Sequence, residues 1–202
     1  MAAKKHPAAR DPDSTRRRIL SAALQEFSAA GFAGTRVDAI ARRAKVNKRM
    51  LYHYFRDKEG LFRAVLRHKI SERQNQVAAK SPRNEPLSSL PLWFKQNGQD
   101  TDWVRLLAWE SLQTTDDKVL DETERRRVAR RLVADLKKKQ AAGILRKDVV
   151  AAHLQLAKTS LAMFPFALPQ IARIILGSSP HQPRFQQEYA RFLEKISVAF
   201  RP

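Results

Sequence analysis

Residues 35–55 contain two short helical patterns joined by a tight turn, and this arrangement restricts the fold more than any other part of the chain. In the first pattern, apolar residues follow the i, i+3, i+4, i+7 spacing of one buried helix face. These residues are Val37, Ile40, Ala41 and Ala44. Thr35 is predicted to cap the first helix and Asn47 the second, because each side chain can accept a hydrogen bond from a first-turn N–H group. Residues 44–46 form the predicted turn.

The second helix separates a packing side from an open side. The packing side carries Leu51, Tyr54 and Phe55, and the open side carries Lys48, Arg49, Tyr52 and His53. Such an open side suits duplex DNA, since Arg and Lys can donate to guanine O6 and N7. The pattern therefore predicts a helix-turn-helix whose second helix enters the major groove. A basic helix face exposed only to solvent is the alternative.

The residues around the second helix are placed for phosphate contacts, which set the register on DNA rather than its sequence specificity. They are Thr35, Arg36, Arg42, Arg43, Tyr54 and Lys58. Tyr52 and His53 on the helix itself can also hydrogen-bond phosphates or pack on thymine methyl groups.

A longer set of residues fits one known protein family in order and spacing. The set is Ile19, Ala22, Ala23, Phe27, Gly31, Phe32, Thr35, Val37, Ile40, Ala41, Ala44, Val46, Leu51, Tyr52, Tyr54, Phe55, Lys58, Glu59 and Leu61. With these residues, the segment 16–62 resembles the DNA-binding module of the tetracycline-repressor (TetR) family of bacterial transcription regulators. The resemblance implies phosphate contacts by Thr35, Tyr52, Tyr54 and Lys58, and base contacts by Lys48, Arg49, Met50 and His53.

Three positions depart from the usual family pattern. Lys45 stands where a turn glycine is frequent, and a positive φ there costs on the order of 1 kcal/mol. Arg49 replaces a small residue or proline, and Met50 replaces a threonine, so an operator sequence cannot be transferred from relatives.

The chain is predicted to be all-α. A flexible basic arm over 1–12 precedes a three-helix helix-turn-helix domain (13–57), a connecting helix (58–80) and a helical regulatory and dimerisation domain (81–202). Within the last domain, helices are predicted over 87–97, over 102–114, over 117–142, from a cap at Asp148 to Gly177, and from Pro183 onward. In the third of these, Asp121–Arg125 and Glu122–Arg126 are predicted i,i+4 ion pairs.

The resemblance also implies a ligand pocket and a two-fold dimer formed by the last two long helices. The candidate pocket residues are Trp103, Leu107, Trp109, Glu110, His153, Ser160, Met163, Phe164 and Phe166. The candidate interface residues are Leu161, Ile171, Ile175, Phe185, Tyr189, Phe192 and Ile196. Aromatic residues at helical spacing also fill ordinary helical cores, and that is the alternative for each pocket residue. The expected effector is a mostly apolar small molecule, and the expected operator is a palindrome with half-sites about 34–36 Å apart.

Composition agrees with a nucleic-acid partner. The formal net charge is +19, and the first 72 residues contain 17 Lys and Arg against 7 Asp and Glu. The basic block between positions 125 and 139 is interpreted as a solvated helix face, with a second DNA contact as the alternative. Lys4, Lys5 and Arg10 could likewise add phosphate contacts, or the arm could be inert.

Other classes of protein fit less well. The chain contains no G-x-S-x-G, H-E-x-x-H or P-loop motif, its five histidines are scattered, and cysteine is absent. We therefore expect neither an enzyme nor a metal or cofactor site. No apolar run reaches the 18 or so residues of a membrane helix, and a cytoplasmic, nucleoid-associated location is expected. A DNA-binding protein that organises DNA without sequence preference is the main alternative, and an adaptor for acidic proteins is a weaker one.

Overall fold

The computed structural model describes residues 11–80, 87–113 and 119–202, and within these ranges the chain forms ten α-helices and no strand. The helices are α1 (Pro12–Gly34), α2 (Val37–Ala44), α3 (Lys48–Phe55), α4 (Lys58–Lys80), α5 (Ser89–Gln99), α6 (Thr101–Gln113), α7 (Glu122–Ala141), α8 (Ala151–Ala167), α9 (Pro169–Leu176) and α10 (Pro183–Ala199). The all-α prediction is confirmed. Most of the predicted arm and the start of the predicted regulatory domain (81–86) lie outside the described residues.

The first helix begins slightly earlier than its pattern suggested. Asp11, assigned to the arm, is the N-cap of α1, and its carboxylate accepts bonds from the N–H groups of Asp13 (3.0 Å) and Ser14 (3.2 Å). Pro12 occupies the first helical position, where its missing N–H group costs nothing. The part of the chain that the structure describes therefore begins at the N-cap of α1.

Aromatic packing ties α1 to α4 and makes the core beneath the helix-turn-helix. The Phe27 ring meets the Phe62 ring edge-to-face at 4.9 Å, and Phe32 meets Phe62 at 5.3 Å. Ile40 of α2 and Leu51 of α3 are buried against the same core. The short helices are thus held by side chains from two long ones, which is necessary because isolated helices of eight residues are unstable in water.

The prediction that Thr35 caps α2 is wrong. Gly31 breaks the end of α1 with φ 70° and ψ 176°, a conformation that is essentially restricted to glycine. Thr35 follows this kink and is only 4% exposed. Its hydroxyl faces the carbonyl oxygens of Gly31 at 2.6 Å and Glu26 at 3.0 Å, and it donates to α1 rather than accepting from α2. Arg36 is the N-cap of α2 and makes no side-chain cap bond.

The first helix also packs along α6, so the helix-turn-helix region is in direct contact with the second half of the chain. Across this contact, the Ser28 hydroxyl donates to the Asp102 carboxylate at 2.9 Å. In the second half of the chain, α5 packs between α8 and α10. Phe94 of α5 lies 5.1 Å from Phe166 and 4.9 Å from Tyr189, measured between ring centroids.

The single long helix predicted to end at Gly177 is two helices, α8 and α9, which meet at 91°. The break is at Leu168, because a residue before proline is disfavoured in the α conformation and Pro169 follows. Asp148 does not cap α8: Val150 is the N-cap, and Asp148 accepts from Arg146 Nε at 2.6 Å. Among the described helices, none is long and apolar enough to span a bilayer, and only α8 and α9 counted together pass that test.

The ion pairs at the start of α7 differ from the predicted ones. The described part of this helix begins at Glu122, and residues 114–118 lie outside the described residues. Asp121 pairs with Arg67 of α4, which holds the pKa of that carboxyl below its usual value. Arg125 pairs with Glu110 of α6 at 2.6 Å, so the expected Asp121–Arg125 pair does not form. The Glu122–Arg126 pair does form, at 2.6 Å, and that prediction is confirmed.

Candidate nucleic-acid interface and internal cavity

The turn between α2 and α3 requires a left-handed residue, and Lys45 supplies it with φ 53° and ψ 48°. The N–H groups of Lys45 and Val46 donate to carbonyl oxygens at the end of α2, at 3.1 and 3.0 Å. Asn47 Oδ1 then accepts the Arg49 N–H group at 2.9 Å. The predicted cap of the second helix is confirmed, and the turn fixes the direction in which α3 leaves α2.

The open side of α3 consists of residues that extend into solvent. Arg49, Tyr52 and His53 are exposed, whereas Leu51 and Phe55 are buried on the other side. Within the described ranges, the Arg49 guanidinium makes no hydrogen bond or ion pair to another side chain. Its donors are therefore available to an external acceptor such as a base edge.

The other two predicted base-reading residues are placed differently. Lys48 Nζ lies 3.0 Å from the Asp38 carboxylate of α2, and this hydrogen bond raises the pKa of Lys48. Met50 is half-buried at the edge of the core. Of the four candidates, Arg49 and His53 have the geometry of base contacts, while Lys48 would have to leave Asp38 first.

Some of the predicted phosphate-contact residues are exposed to solvent, and the others interact with residues of α1. Arg36 and Arg42 are exposed. Arg43 instead pairs with Glu26 of α1 at 2.5 Å. Thr35 has its hydroxyl buried against carbonyl oxygens of α1.

Tyr54 and Lys58 are also held by α1. The Tyr54 hydroxyl donates to the Pro12 carbonyl oxygen at 3.4 Å. Lys58 Nζ donates to the Ala33 carbonyl oxygen at 3.3 Å and lies 4.8 Å from the centroid of the Phe32 ring. Partial burial lowers the pKa of Lys58.

Two arginines outside the predicted set lie next to α3. Arg56 directly follows the helix as its C-cap, with φ 65°, and is exposed. The Arg16 guanidinium of α1 lies 5.7 Å from the centroid of the Phe55 ring. The position of Arg16 depends on how α1 packs near Phe55, which no local pattern in the sequence reveals, whereas Arg56 is adjacent to α3 in the sequence.

A cavity of about 190 Å³ lies among α4, α5, α6, α7 and α8. Trp103 and Leu107 of α6 and Met163 of α8, three of the predicted pocket residues, line it. The remaining lining residues are Ile70, Arg73, Gln74, Trp93, Asn97, Val128, Leu132, Gln155, Lys158, Thr159 and Ala162. Its walls are thus mostly apolar, with a few polar groups.

The six other predicted pocket residues lie outside this cavity. His153, Ser160 and Phe164 are on the exposed face of α8. Glu110 pairs with Arg125, and Phe166 packs on Phe94 in the core. Trp109 is half-buried elsewhere on α6. The sequence did not indicate which side of α8 lines this cavity, because α8 is apolar around most of its circumference and its rotational phase is then not readable from the sequence.

Arg73, which no sequence pattern indicated, is buried in the cavity wall at 3% exposure. Its guanidinium lies 5.8 Å from the Trp93 ring and 5.4 Å from the Trp103 ring. It donates to Asp100 at 3.2 Å and to the Asn97 side-chain oxygen. Burial lowers the pKa of Arg73, but its charge is neutralised by Asp100.

Lys158 is a second buried cation in the same wall, at 5% exposure. Burial, and to a smaller extent the nearby charge of Lys139, lower the pKa of Lys158 to about 8, while the charge of Asp135 acts in the opposite direction. Within the ranges that the structure describes, the Lys158 ammonium has no hydrogen bond or ion pair. No sequence pattern marked it, because one lysine in an apolar helix resembles a surface residue.

The candidate interface residues divide between the core and the surface. Phe185 is 2% exposed inside the chain's own core and is therefore not available to a second subunit. Leu161, Tyr189 and Ile196 are half-buried, and the Tyr189 hydroxyl donates to the Leu161 carbonyl oxygen at 3.1 Å. The residues left exposed are Ile171, Ile175 and Phe192.

Two family profiles match this chain. Residues 19–65 match "Bacterial regulatory proteins, tetR family", and residues 93–192 match "Tetracyclin repressor-like, C-terminal domain". The chain is 32% identical over 170 residues to the HTH-type transcriptional repressor SCO4008 of Streptomyces coelicolor, covering 84% of this chain and 88% of that protein.

Solved structures share the fold along most of its length. SCO4942 of Streptomyces coelicolor is 25% identical, with a TM-score of 0.72, covering 90% of this chain and 97% of that one. FadR of Bacillus subtilis, solved in complex with stearoyl-CoA, is 14% identical, with a TM-score of 0.62, covering 88% of this chain and 96% of that one. With a capped helix-turn-helix, a matching second domain and these relatives, the chain belongs to the TetR family and is a DNA-binding transcriptional regulator.

Proposed function

We propose that this protein is a dimeric repressor that binds a palindromic operator through α3 and is released by a small molecule bound in the cavity. The observation that carries the proposal is the exposed row of Arg49, Tyr52 and His53 on a helix whose opposite side is buried. A helix face that is exposed only to solvent would not need basic and aromatic side chains held in a fixed row. Because the target is DNA, the proposal locates the protein at the bacterial nucleoid.

Dimerisation is supported by apolar residues that a single chain leaves uncovered. Leu156 and Phe164 of α8 are 67% and 42% exposed, and they lie eight residues apart on one helix face. Phe192 of α10 is 43% exposed. The hydrogen bond from Tyr189 to α8 shows that the two helices are in contact. Large exposed apolar surface on a folded chain marks a site of association, and the proposed interface is therefore built on α8 and α10.

Release by an effector is supported by where the cavity lies. Its lining includes Ile70 and Arg73 of α4, the helix that directly follows α3, and Trp103 of α6, which packs against α1. A ligand can weaken DNA binding only if it prefers a conformation in which the two α3 helices no longer match the operator. Because α4 and α6 contact both the cavity and the helix-turn-helix, a ligand in the cavity can favour one position of α3 over another.

In-vitro selection from a random duplex library at about 150 mM salt, where non-specific binding is weak, tests operator recognition. The proposal expects an enriched inverted repeat whose half-sites are about 34–36 Å apart or a multiple of that. No enriched sequence, with binding that falls steeply as salt rises, would instead identify a protein that binds DNA without sequence preference.

Sedimentation velocity at micromolar concentration tests dimerisation with matched variants. Phe164→Asp and Phe192→Asp should each shift the wild-type dimer toward monomer, because each buries a charge in the interface. Val150→Asp, at an exposed apolar residue outside the proposed interface, should remain dimeric. A wild-type chain that sediments as a monomer yet binds the full operator tightly would overturn this part of the proposal.

A further inference from the structure

The charges in the cavity wall are all of one sign. Within the described residues, its lining contains two cations, Arg73 and Lys158, and no carboxylate. The Asp100 carboxylate that pairs with Arg73 is not part of the lining. A cationic ligand would therefore find no carboxylate in the described lining, while an anionic ligand would find two cations.

The two cations are not equivalent. Arg73 makes bonds to Asp100 and Asn97, and its guanidinium lies near the rings of both Trp93 and Trp103. Lys158 is equally buried, but within the described ranges no acceptor from the protein reaches its ammonium. A buried ion is normally paired, since removing it from water is costly. Lys158 therefore lacks the partner that a bound anion would provide.

A buried acceptor without a partner lies one helix turn from Lys158. Gln155 donates from its amide nitrogen to Thr159 at 3.2 Å, but its side-chain oxygen is buried and accepts no hydrogen bond. Gln155 and Lys158 both line the cavity. An ammonium donor and an amide acceptor are thus presented together, which suits a ligand that carries an anionic group and a hydrogen-bond donor.

The rest of the wall determines the shape of the ligand. Trp93, Trp103 and Met163 form flat and apolar surfaces around the cavity. Its volume of about 190 Å³ is below the 300–1,000 Å³ of drug-sized sites. One or two fused rings would fill such a space.

The side of Lys158 away from this cavity is also basic. An adjoining groove of about 540 Å³ shares Lys158 and Trp93 with the cavity. Its lining contains Arg131, Lys138 and Lys139, with Asp135 as the acid of the described lining. These cations, of which Arg131 and Lys138 are exposed, raise the local concentration of anions near the cavity and disfavour cations.

From these observations we infer that the effector is a small organic anion, with a ring body against the apolar part of the wall and a carboxylate against the Lys158 ammonium. The inference rests on the proposed effector function and assigns its chemical class. Lys158 would then be the residue that distinguishes an acid from its neutral amide, and Gln155 would accept a bond from a hydroxyl or ring N–H group of the ligand.

Calorimetric titration of the full chain with matched probe pairs tests the inference. The probes are benzoate, indole-3-carboxylate and 2-naphthoate, each beside its uncharged carboxamide. At least one acid should bind about tenfold or more tightly than its amide, as expected for a charge-assisted hydrogen bond. Lys158→Met should abolish this preference, whereas Lys147→Met, at an exposed lysine, should retain it.

Three results would overturn the assignment: equal binding of acid and amide, a preference that persists in Lys158→Met, or no binding of any probe at millimolar concentration. Operator binding without probe, measured by footprinting on the same preparations, tests the proposed function separately. A protein that binds its operator but no acid refutes only the anionic class. A protein that prefers the acids through Lys158 but has no operator refutes the proposed function and leaves the anion site intact.

Discussion

Replacing Lys158 with methionine should make the protein more stable at neutral pH. Methionine has a similar length and an unbranched side chain, so it can fill the same space without a charge. Lys158 is 5% exposed, and its ammonium has no acceptor within the described part of the chain. The wild-type protein therefore carries an uncompensated cost that the variant removes.

The size of this effect follows from the pKa of Lys158, which burial lowers from 10.5 to about 8. One pKa unit corresponds to 1.36 kcal/mol, so the charged lysine costs about 3 kcal/mol in the folded state. For a chain of this size, that corresponds to a rise in Tm of roughly 6–12 °C for Lys158→Met.

The sign of the pH dependence is fixed by the direction of the shift. Below pH 8 the lysine is charged in both states, and the full cost is present. Between about pH 8 and 10.5 the folded state loses its proton first, so wild-type stability rises with pH relative to the variant. The advantage of Lys158→Met should therefore be largest at pH 7 and nearly absent at pH 10.5.

Urea unfolding of wild type, Lys158→Met and Lys147→Met at pH 7 and pH 10 measures this difference. Lys147 is exposed, and its replacement should change stability by less than about 0.5 kcal/mol at either pH. A Lys158→Met variant that is less stable than wild type at pH 7, or equally shifted at both pH values, would refute the reasoning. Lys158 would then be satisfied in the folded protein in some other way.

The remaining predictions concern the DNA contacts and two positions in the backbone. Arg49→Ala should relax the preference at one base position by about 1–3 kcal/mol, whereas Arg42→Ala should weaken all sequences alike and reduce the salt slope by about 1; identical selection profiles for the two variants would contradict this division. Val150→Asp should raise the free energy of unfolding by about 1 kcal/mol. Val150 is the N-cap residue of α8, with φ −63° and ψ 121°, but its side chain cannot accept a hydrogen bond from the first turn, whereas an aspartate can. An unchanged midpoint of urea unfolding would contradict this prediction. Gly60→Ala should destabilise by about 2 kcal/mol or more, since its Cβ would collide with the Phe55 carbonyl oxygen; wild-type unfolding and operator affinity would show that this turn can shift freely.

The local parts of the structure could be predicted from the sequence, because they depend on residues close together in the chain. The Asn47 cap, the buried face with Leu51 and Phe55, and the Glu122–Arg126 pair are all set within a few residues. Thr35 failed for a non-local reason: the carbonyl oxygens that its hydroxyl binds are exposed by the kink at Gly31.

The cavity could be predicted only in part. Trp103 and Leu107 follow the apolar face of α6, but the side of α8 that turns inward is decided by the packing of α5 and α7 against it. The sequence did not indicate that Lys158 and Arg73 are buried, because it does not distinguish a buried lysine or arginine from a solvent-exposed one. Their roles depend on how deeply the packing of the helices buries each side chain.

The contact between α1 and α6 also bears on how the molecule unfolds. The first helix buries Ile19 and Phe27 beneath the helix-turn-helix and reaches Asp102 of α6 through Ser28, while α6 supplies Trp103 to the cavity. Neither half can lose its structure without exposing apolar surface of the other, so both should open in one cooperative step. A ligand that binds only the folded cavity then slows amide hydrogen exchange in α3 as well as around itself, although α3 does not touch it.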